Sequence, residues 1–334
     1  MIIKTLNKTQ IIDLLNNTDT KFLYEEANKI RKENLGDEIY LRGIIEFSNY
    51  CQKNCAYCGI RKENKNPERY RILPAEIIEI CKNLEKFKQT TVVLQSGEDP
   101  YFTKKVIGDL ISKIKETTKL AITLSIGVRT FEELKFWQKK GLDRYLIRFE
   151  TSNPALFKQV HPDDNLEKRL NCIYDLKKLG IQAGSGFLIG LPNETIEELA
   201  DDILFCTKLN LAMIGVGPFI PHPNTPLGQK KNPFAAEIFF KTLAVLRILN
   251  PKAHIPATTA YDAIEPNGRN KALCLGANIF MPNSTPQKYR KNYLLYPGKP
   301  CVDENATDCA ACVLLRINAL NRKVGTGPGH YCVT

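Results

Sequence analysis

Eight short runs rich in apolar and β-branched residues recur along the 334-residue chain, each separated from the next by an amphipathic helical pattern. The runs are Ile39 to Phe47, Thr91 to Leu94, Leu120 to Ser125, Arg144 to Phe149, Gln182 to Ile189, Met213 to Phe219, His254 to Thr259 and Ala277 to Met281. Helical patterns lie between them near 75–88, 102–117, 130–140, 166–179, 194–208, 234–249 and 264–274, with another at 309–321. Strands that alternate with helices in this way make a parallel sheet. Eight units predict an α/β fold, a complete (β/α)8 barrel of the TIM type, which occupies about 250 residues. Residues 1–36 read as an N-terminal helical extension ending at Gly36, residues 37–300 as the barrel, and 301–334 as a cysteine-containing segment packed on it.

Chemistry in such barrels gathers at the carboxyl ends of the strands, and here those ends are polar and glycine-rich. Gln95-Ser96-Gly97-Glu98-Asp99 follows the second strand, Ser125-Ile126-Gly127 the third, and Arg148-Phe149-Glu150 ends the fourth. The first strand runs into FSNYCQKNCAYCG, which spaces Cys51, Cys55 and Cys58 as C-x3-C-x2-C. A cluster of four irons and four sulfides takes one ligand on each iron. Three thiolates therefore leave one iron with an open position, as a catalytic metal site does. The alternatives are a zinc site, a redox disulfide or chance. Zinc needs a fourth ligand, and the nearest downstream histidine, His161, is far along the chain. A thioredoxin-like C-x2-C leaves Cys51 unexplained.

Composition narrows the partners. The 43% hydrophobic and 25% charged content is that of an ordinary folded protein. Eleven cysteines, an odd number, suit a reducing compartment better than a disulfide framework, so a cytoplasmic location is expected. Cys81, Cys172, Cys206 and Cys274 stand singly in apolar or helical patterns and read as small buried hydrophobes. MIIKTLNKTQIIDLL lacks an apolar signal core, and no apolar run approaches the roughly 18 residues of a membrane span. The net charge of +11 is spread along helices with interleaved glutamates, which argues against nucleic acid as a partner.

Arg169 falls inside the apolar arc of Leu166, Leu170, Ile173 and Leu176, so it points inward and needs an anion, either a bound carboxylate or an internal ion-pair partner. Arg148 shares a strand face with Glu150 at the barrel mouth. A second cysteine set, Cys301-x7-Cys309-x2-Cys312, follows the last strand; adventitious zinc or free thiols are the alternatives to a cluster there, and Cys332 reads as free, with a stray fourth ligand as its alternative.

The cysteine loop, with Tyr57 directly before its last thiol, resembles the signature of the radical S-adenosylmethionine (SAM) superfamily. The resemblance implies a 4Fe-4S cluster on Cys51, Cys55 and Cys58, SAM chelated to the open iron, and reductive cleavage of SAM to methionine and a 5′-deoxyadenosyl radical. Ser96-Gly97-Glu98 resembles the Gly-Gly-Glu element that holds the SAM amino group, with Ser96 as a departure and an ordinary turn as the alternative. Tyr57, Ser96, Gly97, Glu98, Ser125, Glu150 and Arg169 are then the cofactor-binding residues, Arg169 for the SAM carboxylate and Glu150 for its ribose hydroxyls or amino group.

Longer strings are similar to the HydE family of FeFe-hydrogenase maturases: Phe47 to Tyr50, Leu94 to Pro100, Gly217 to Pro223, Ile255 to Thr259, and Met281-Pro282-Asn283 followed by Tyr296-Pro297-Gly298-Lys299. The similarity runs from about residue 38 to about 315. Biotin synthase and methylornithine synthase share the scaffold more than these strings. The family implies as substrate an iron complex with carbonyl, cyanide and cysteine ligands, the product being a precursor of the diiron subcluster. Arg148, Thr258, Thr259 and Tyr296 then supply cationic and hydroxyl donors and Met281 a soft apolar wall, with helix capping as the alternative for the two threonines; His222 is structural. At the second cysteine set, Cys301, Cys309 and Cys312, the resemblance implies an auxiliary cluster, 2Fe-2S or 4Fe-4S, which only some members of the family carry. Other hydrogenase maturases and a reductant such as ferredoxin or flavodoxin are the implied partners. Competing functions are a methylornithine synthase or biotin synthase-like enzyme acting on a small amino-acid-like substrate, and a basic iron-sulfur RNA-binding module.

Overall fold

The computed structural model describes residues 5–331. Ten strands follow the chain as β1 Glu38–Ser48, β2 Thr91–Ser96, β3 Ala121–Ser125, β4 Arg144–Leu146, β5 Gln182–Ser185, β6 Leu188–Ile189, β7 Met213–Ile214, β8 Gly217–Pro218, β9 Ile279–Phe280 and β10 Lys323–Val324. All the pairings between them are parallel, in the order β10-β1-β2-β3-β4-β5-β7, with β9 on β1 and a separate β6-β8 pair. The result is a curled parallel sheet of TIM-like type, which meets the sequence expectation at that level. Helices cover its outer face, and Ile, Leu and Val side chains of strands and helices form one continuous core between them.

Two expected strands are each broken in two. Gly186 sits at φ +154° between β5 and β6, and a Cβ there would lie 2.0 Å from the Gly215 carbonyl oxygen. The two chains thus cross too closely for a side chain, and the ladder resumes as β6-β8. The expected seventh strand, His254 to Thr259, pairs only through the single bridges Met213 to His254 and Pro256 to Ile279. Pro256 has no N–H to extend a ladder, and Thr259 already begins the helix Thr259–Ile264.

The N-terminal extension is two helices, Lys8–Asn16 and Lys21–Leu35, the first opened by a capping box between Asn7 and Gln10. Lys241, from the helix Ala236–Leu249, donates to the carbonyls of Leu15 (2.8 Å) and Asn17 (2.6 Å) and ties the extension down. At the other terminus β10 pairs with the start of β1, and the chain then crosses the amino ends of the strands. There the buried Arg42 and Arg144 donate to the Gly329 carbonyl (3.2 Å each), and Arg144 also to that of Pro328 (2.7 Å). The cysteine loop occupies the opposite, carboxyl end.

Cys81, Cys172 and Cys206 are buried as expected, but Cys274, on the helix Gly268–Cys274, is exposed: the apolar pattern around it belongs to Ala272 and Leu273, which turn inward. Cys332 lies outside the described residues. No described helix is long and apolar enough to cross a membrane.

Candidate active site

Dense backbone bonding holds the cysteine loop in place. Ser48, at the end of β1, donates to Asp99 (2.6 Å), which also receives Arg71 (2.7 and 3.0 Å). Arg69 donates to the carbonyls of Asn49, Ile60, Arg61 and Asn64 and so draws the loop shut. The N–H groups of Gln52, Ala56 and Gly59 reach the carbonyls of Glu98, Val160 and Leu295 on three other segments. Two glycines permit the close approach this requires: a Cβ on Gly97 would lie 2.2 Å from the Tyr50 oxygen, and one on Gly59 2.0 Å from that of Leu294. His222, read as structural, packs its ring beside Gly59, and its backbone N–H donates to the Tyr57 carbonyl.

The donor set tests the choice between zinc and an iron-sulfur cluster. A tetrahedral zinc with sulfur at about 2.3 Å brings its thiolates to within about 4 Å of one another. The Sγ atoms of Cys51, Cys55 and Cys58 do not form a set within 4.8 Å; among the described residues that is done by Cys301, Glu304 and Cys309. The wider barrel set fits a cluster that presents a separate iron to each thiolate. Cys51 Sγ accepts from the N–H of Lys53 and of Glu98 (3.4 Å each), bonds that favour a thiolate. Burial, with Cys51 next, pushes the Cys58 thiol up to about 12, and burial with Cys58 pushes Cys55 well above its usual range. A cation bound among the three sulfurs would offset this burial and favour the thiolate form.

Around the loop lies a chain of charged groups. Glu150, at φ +68°, holds a left-handed conformation that a non-glycine residue adopts only where its surroundings dictate it. Its carboxylate receives Arg148 Nε (2.9 Å) and the Tyr57 hydroxyl (3.3 Å). Burial would raise it, but the guanidinium of Arg148, and beyond it that of Arg169, hold it below the usual carboxylate range. Arg169 is buried, as its position in the apolar arc predicts, and both its Nε (2.7 Å) and Nη2 (2.6 Å) meet Asp164, while Nη1 donates to the Arg148 carbonyl (2.8 Å). Lys53 approaches the same Asp164 (3.2 Å).

His161 is the residue that sequence reasoning set aside. Its Nδ1 lies 3.2 Å from Cys55 Sγ and its Nε2 3.3 Å from the Tyr57 hydroxyl. Burial and then Arg169 push it down to about 3, so it is neutral. The helix Pro154–Val160, absent from the sequence reading, delivers it. Asn153 as N-cap with Pro154 at the first helical position was the available signal.

The expected substrate side is a separate wall. Thr259 Oγ1 and the Tyr296 hydroxyl share a hydrogen bond of 2.5 Å, and Thr258 lies 3.4 Å from the Val216 carbonyl. A cavity of about 40 Å³ is lined by Thr259 and Met281 with Glu46, Arg269, Lys299 and Cys301, and Glu46 is ion-paired to Lys299. Arg148 stands apart from this group, on Glu150. Ser125 ends β3, and Ser96 Oγ donates to the Gly97 carbonyl beside the cysteine loop (2.7 Å).

Residues 45–206 match the family model of the Radical SAM superfamily. The chain is 49% identical to the FeFe hydrogenase maturase subunit HydE of Thermotoga maritima, over 91% of this chain and 86% of that protein. It is 30% identical to 3-methylornithine synthase of Methanosarcina acetivorans, over 80% and 76% of the two. Among solved structures, methylornithine synthase (PylB) superposes with a TM-score of 0.83 at 25% identity, covering 96% of this chain and 94% of that one. The maturase HydG of Carboxydothermus hydrogenoformans superposes at 0.80 with 24% identity, covering 94% and 75%, a likeness of fold.

Proposed function

The chain belongs to the HydE family of radical SAM enzymes, and on that premise we propose that it acts on a cysteine-ligated iron carbonyl cyanide complex during assembly of the FeFe-hydrogenase diiron subcluster. The observation that carries this is the 49% identity spread over 91% of the chain, which takes in the loop of three thiols and both walls of the site. A 4Fe-4S cluster held by Cys51, Cys55 and Cys58 would supply the electron that splits SAM into methionine and a 5′-deoxyadenosyl radical.

The protein's own residues have the following parts in this reading. Gly97 and Glu98 offer backbone groups to the SAM amino group beside Cys51, with Ser96 leaving that contact intact and Ser125 beside it. Arg169 takes the SAM carboxylate; Asp164, which it now holds, keeps Lys53 as its remaining cation, and this lets the exchange proceed without a bare buried charge. Glu150, fixed by Arg148 and Tyr57, faces the ribose. Thr258, Thr259, Met281 and Tyr296 border the substrate. A complete eight-strand ring is part of the proposal, supported by the bridges that link β7, His254, Pro256 and β9 to β1. The barrel unit is taken as residues 37–300, flanked by the helical extension and the cysteine-containing segment, and a second metal centre on the latter is included. Other hydrogenase maturases and a ferredoxin or flavodoxin are the partners this implies.

The test is anaerobic reconstitution with iron and sulfide followed by SAM and dithionite. Formation of 5′-deoxyadenosine that the iron complex stimulates is expected. Methylornithine formed from SAM and lysine would overturn the substrate assignment, and RNA binding without SAM cleavage would overturn the enzymatic reading.

A further inference from the structure

We propose that His161 is a positioning residue for the cluster that the three thiols would hold: its Nδ1–H donates to Cys55 Sγ and raises the potential at which that cluster accepts an electron. The inference rests on the reading of Cys51, Cys55 and Cys58 as cluster ligands and gives a part to a ring that this reading leaves without one.

Contact is the first ground. His161 Nδ1 lies 3.2 Å from Cys55 Sγ. Cys51 Sγ accepts two backbone N–H groups, from Lys53 and Glu98 (3.4 Å each), whereas among the described residues the Cys55 sulfur has the His161 ring in that place. As a metal ligand Cys55 carries no proton of its own. The contact is then favourable only where the ring nitrogen brings one.

The second ground is how closely the chain after the helix Pro154–Val160 is fitted to the cysteine loop. The Val160 carbonyl accepts the N–H of Ala56 (2.8 Å), the Asp163 carboxylate that of Asn54 (2.8 Å), and Asp164 pairs with Lys53 (3.2 Å). Lys53, Asn54 and Ala56 are thus each tied to this segment, and Cys55 between them is presented to His161. The ring is 1% exposed, stacked on Phe157 with centroids 5.0 Å apart and 18° between the planes, and edge-on to Tyr57 at 5.6 Å. It is held against the sulfur before any metal arrives.

The third ground is the partner of the other ring nitrogen. A neutral imidazole donates from one nitrogen and accepts at the other, and the partner of one fixes the state of both. Nε2 lies 3.3 Å from the Tyr57 hydroxyl, which is also 3.3 Å from Glu150 Oε1. In the proposed function the ribose hydroxyls donate to Glu150, whose other oxygen keeps Arg148 (2.9 Å). The Tyr57 hydroxyl then turns to Nε2, and the ring proton sits on Nδ1, facing the sulfur. Arg169 Nη2, 3.4 Å from Nδ1, is taken up by Asp164 at 2.6 Å. When one electron passes from an external reductant to the cluster, negative charge on its sulfurs grows. A buried N–H aimed at one of them stabilises the reduced form more than the oxidised one.

The test is a redox titration of the full chain, reconstituted anaerobically with iron and sulfide and followed by electron paramagnetic resonance. The relevant cluster is the one whose signal changes when SAM is added. H161F keeps a ring on Phe157 and loses the donor, H161N places an amide N–H where Nδ1 stood, and H161Q places one where Nε2 stood. At the parent's midpoint potential the ratio of reduced to oxidised cluster should fall by about threefold or more in H161F and H161Q and stay within about twofold of the parent in H161N. Iron and acid-labile sulfide should be unchanged. A merely structural ring would lower cluster content or melting temperature and leave the midpoint where it was. Equal midpoints in parent and H161F would overturn the inference while leaving SAM cleavage by the parent, and with it the proposed function, intact. H161N and H161Q titrating alike would overturn it too, and this pair decides where H161F assembles no cluster. A parent chain that forms no SAM-responsive cluster would overturn the reading of the three thiols and this inference with it.

Discussion

Glu194 is 4% exposed, and its carboxylate accepts the N–H groups of Gly190 (2.5 Å) and Leu191 (2.9 Å) while its second oxygen has no hydrogen-bond partner. Burial, and then Asp202 beside it, push it from 4.5 up to about 8. The folded protein therefore holds this proton more tightly than the unfolded chain does. Its contribution to stability is fully present below pH 4.5 and is lost as pH rises through about 8. Glu194→Gln keeps an acceptor and removes the charge, so the variant should melt a few degrees above the parent at pH 8 and level with it near pH 4.5. An equal gain at both pH values would remove the titration argument. For the site itself, Arg169→Leu is expected to weaken SAM binding by about 1.5 to 3 kcal/mol in equilibrium dialysis, the worth of a charged hydrogen-bonded contact, with iron content unchanged. Unaltered affinity would leave Arg169 as the partner of Asp164 alone. The three thiols were legible because their spacing is local, and Arg169 because helical periodicity exposes an inward cation. His161 was not, because its place beside Cys55 depends on a helix of seven residues whose capping signal is easily passed over.

Elements show the same division between local and distant causes. Alternating strands and helices follow from short-range pattern, and the curled parallel sheet with them. The breaks at Gly186 and Pro256 depend on which backbone lies opposite, which no one-dimensional pattern records. The C-terminal strand was missed because Lys323–Val324 is two residues long, yet the segment it begins supplies carbonyls to two buried arginines across the amino ends of the strands. Deleting residues 323–334 should lower the melting temperature, since leaving a buried charged donor unsatisfied costs about 1–3 kcal/mol or more. Arg144→Met should recover part of that loss in the shortened chain while destabilising the full one. A double-mutant cycle reads the coupling directly. Additive effects would show that the segment stabilises the barrel by covering surface rather than by pairing with Arg144.

At the scale of the molecule, the two cysteine sets lie on different sides of one wall. The first leaves β1 at the barrel mouth, where a radical can be enclosed with its target. The second flanks a cavity whose inner lining includes Thr259 and Met281, nearer the interior than a segment after the last helix-bearing strand would be expected to lie. Its Cys301 shares that cavity with Thr259 and Met281, the side that the proposed function gives to the substrate, while the loop of three thiols lies at the barrel mouth. The segment 292–300 joins the two sides: Leu295 accepts from Gly59 next to Cys58, and Lys299 pairs with Glu46 beside Cys301. Replacing Cys301, Cys309 and Cys312 together by serine should thus remove the second metal from the purified protein and loosen this segment, seen as a lower melting temperature. Dithionite-dependent 5′-deoxyadenosine formation should stay close to the parent rate, because Cys51, Cys55 and Cys58, the proposed cluster ligands, and the Tyr57, Glu150 and Arg148 chain are untouched. Cys55→Ala is the counterpart, expected to abolish SAM cleavage while leaving the second metal in place. If the triple variant instead folds, assembles its first cluster in full and no longer cleaves SAM, electrons must reach the barrel mouth through the second centre, and the wall between the sets is a conduit rather than a partition.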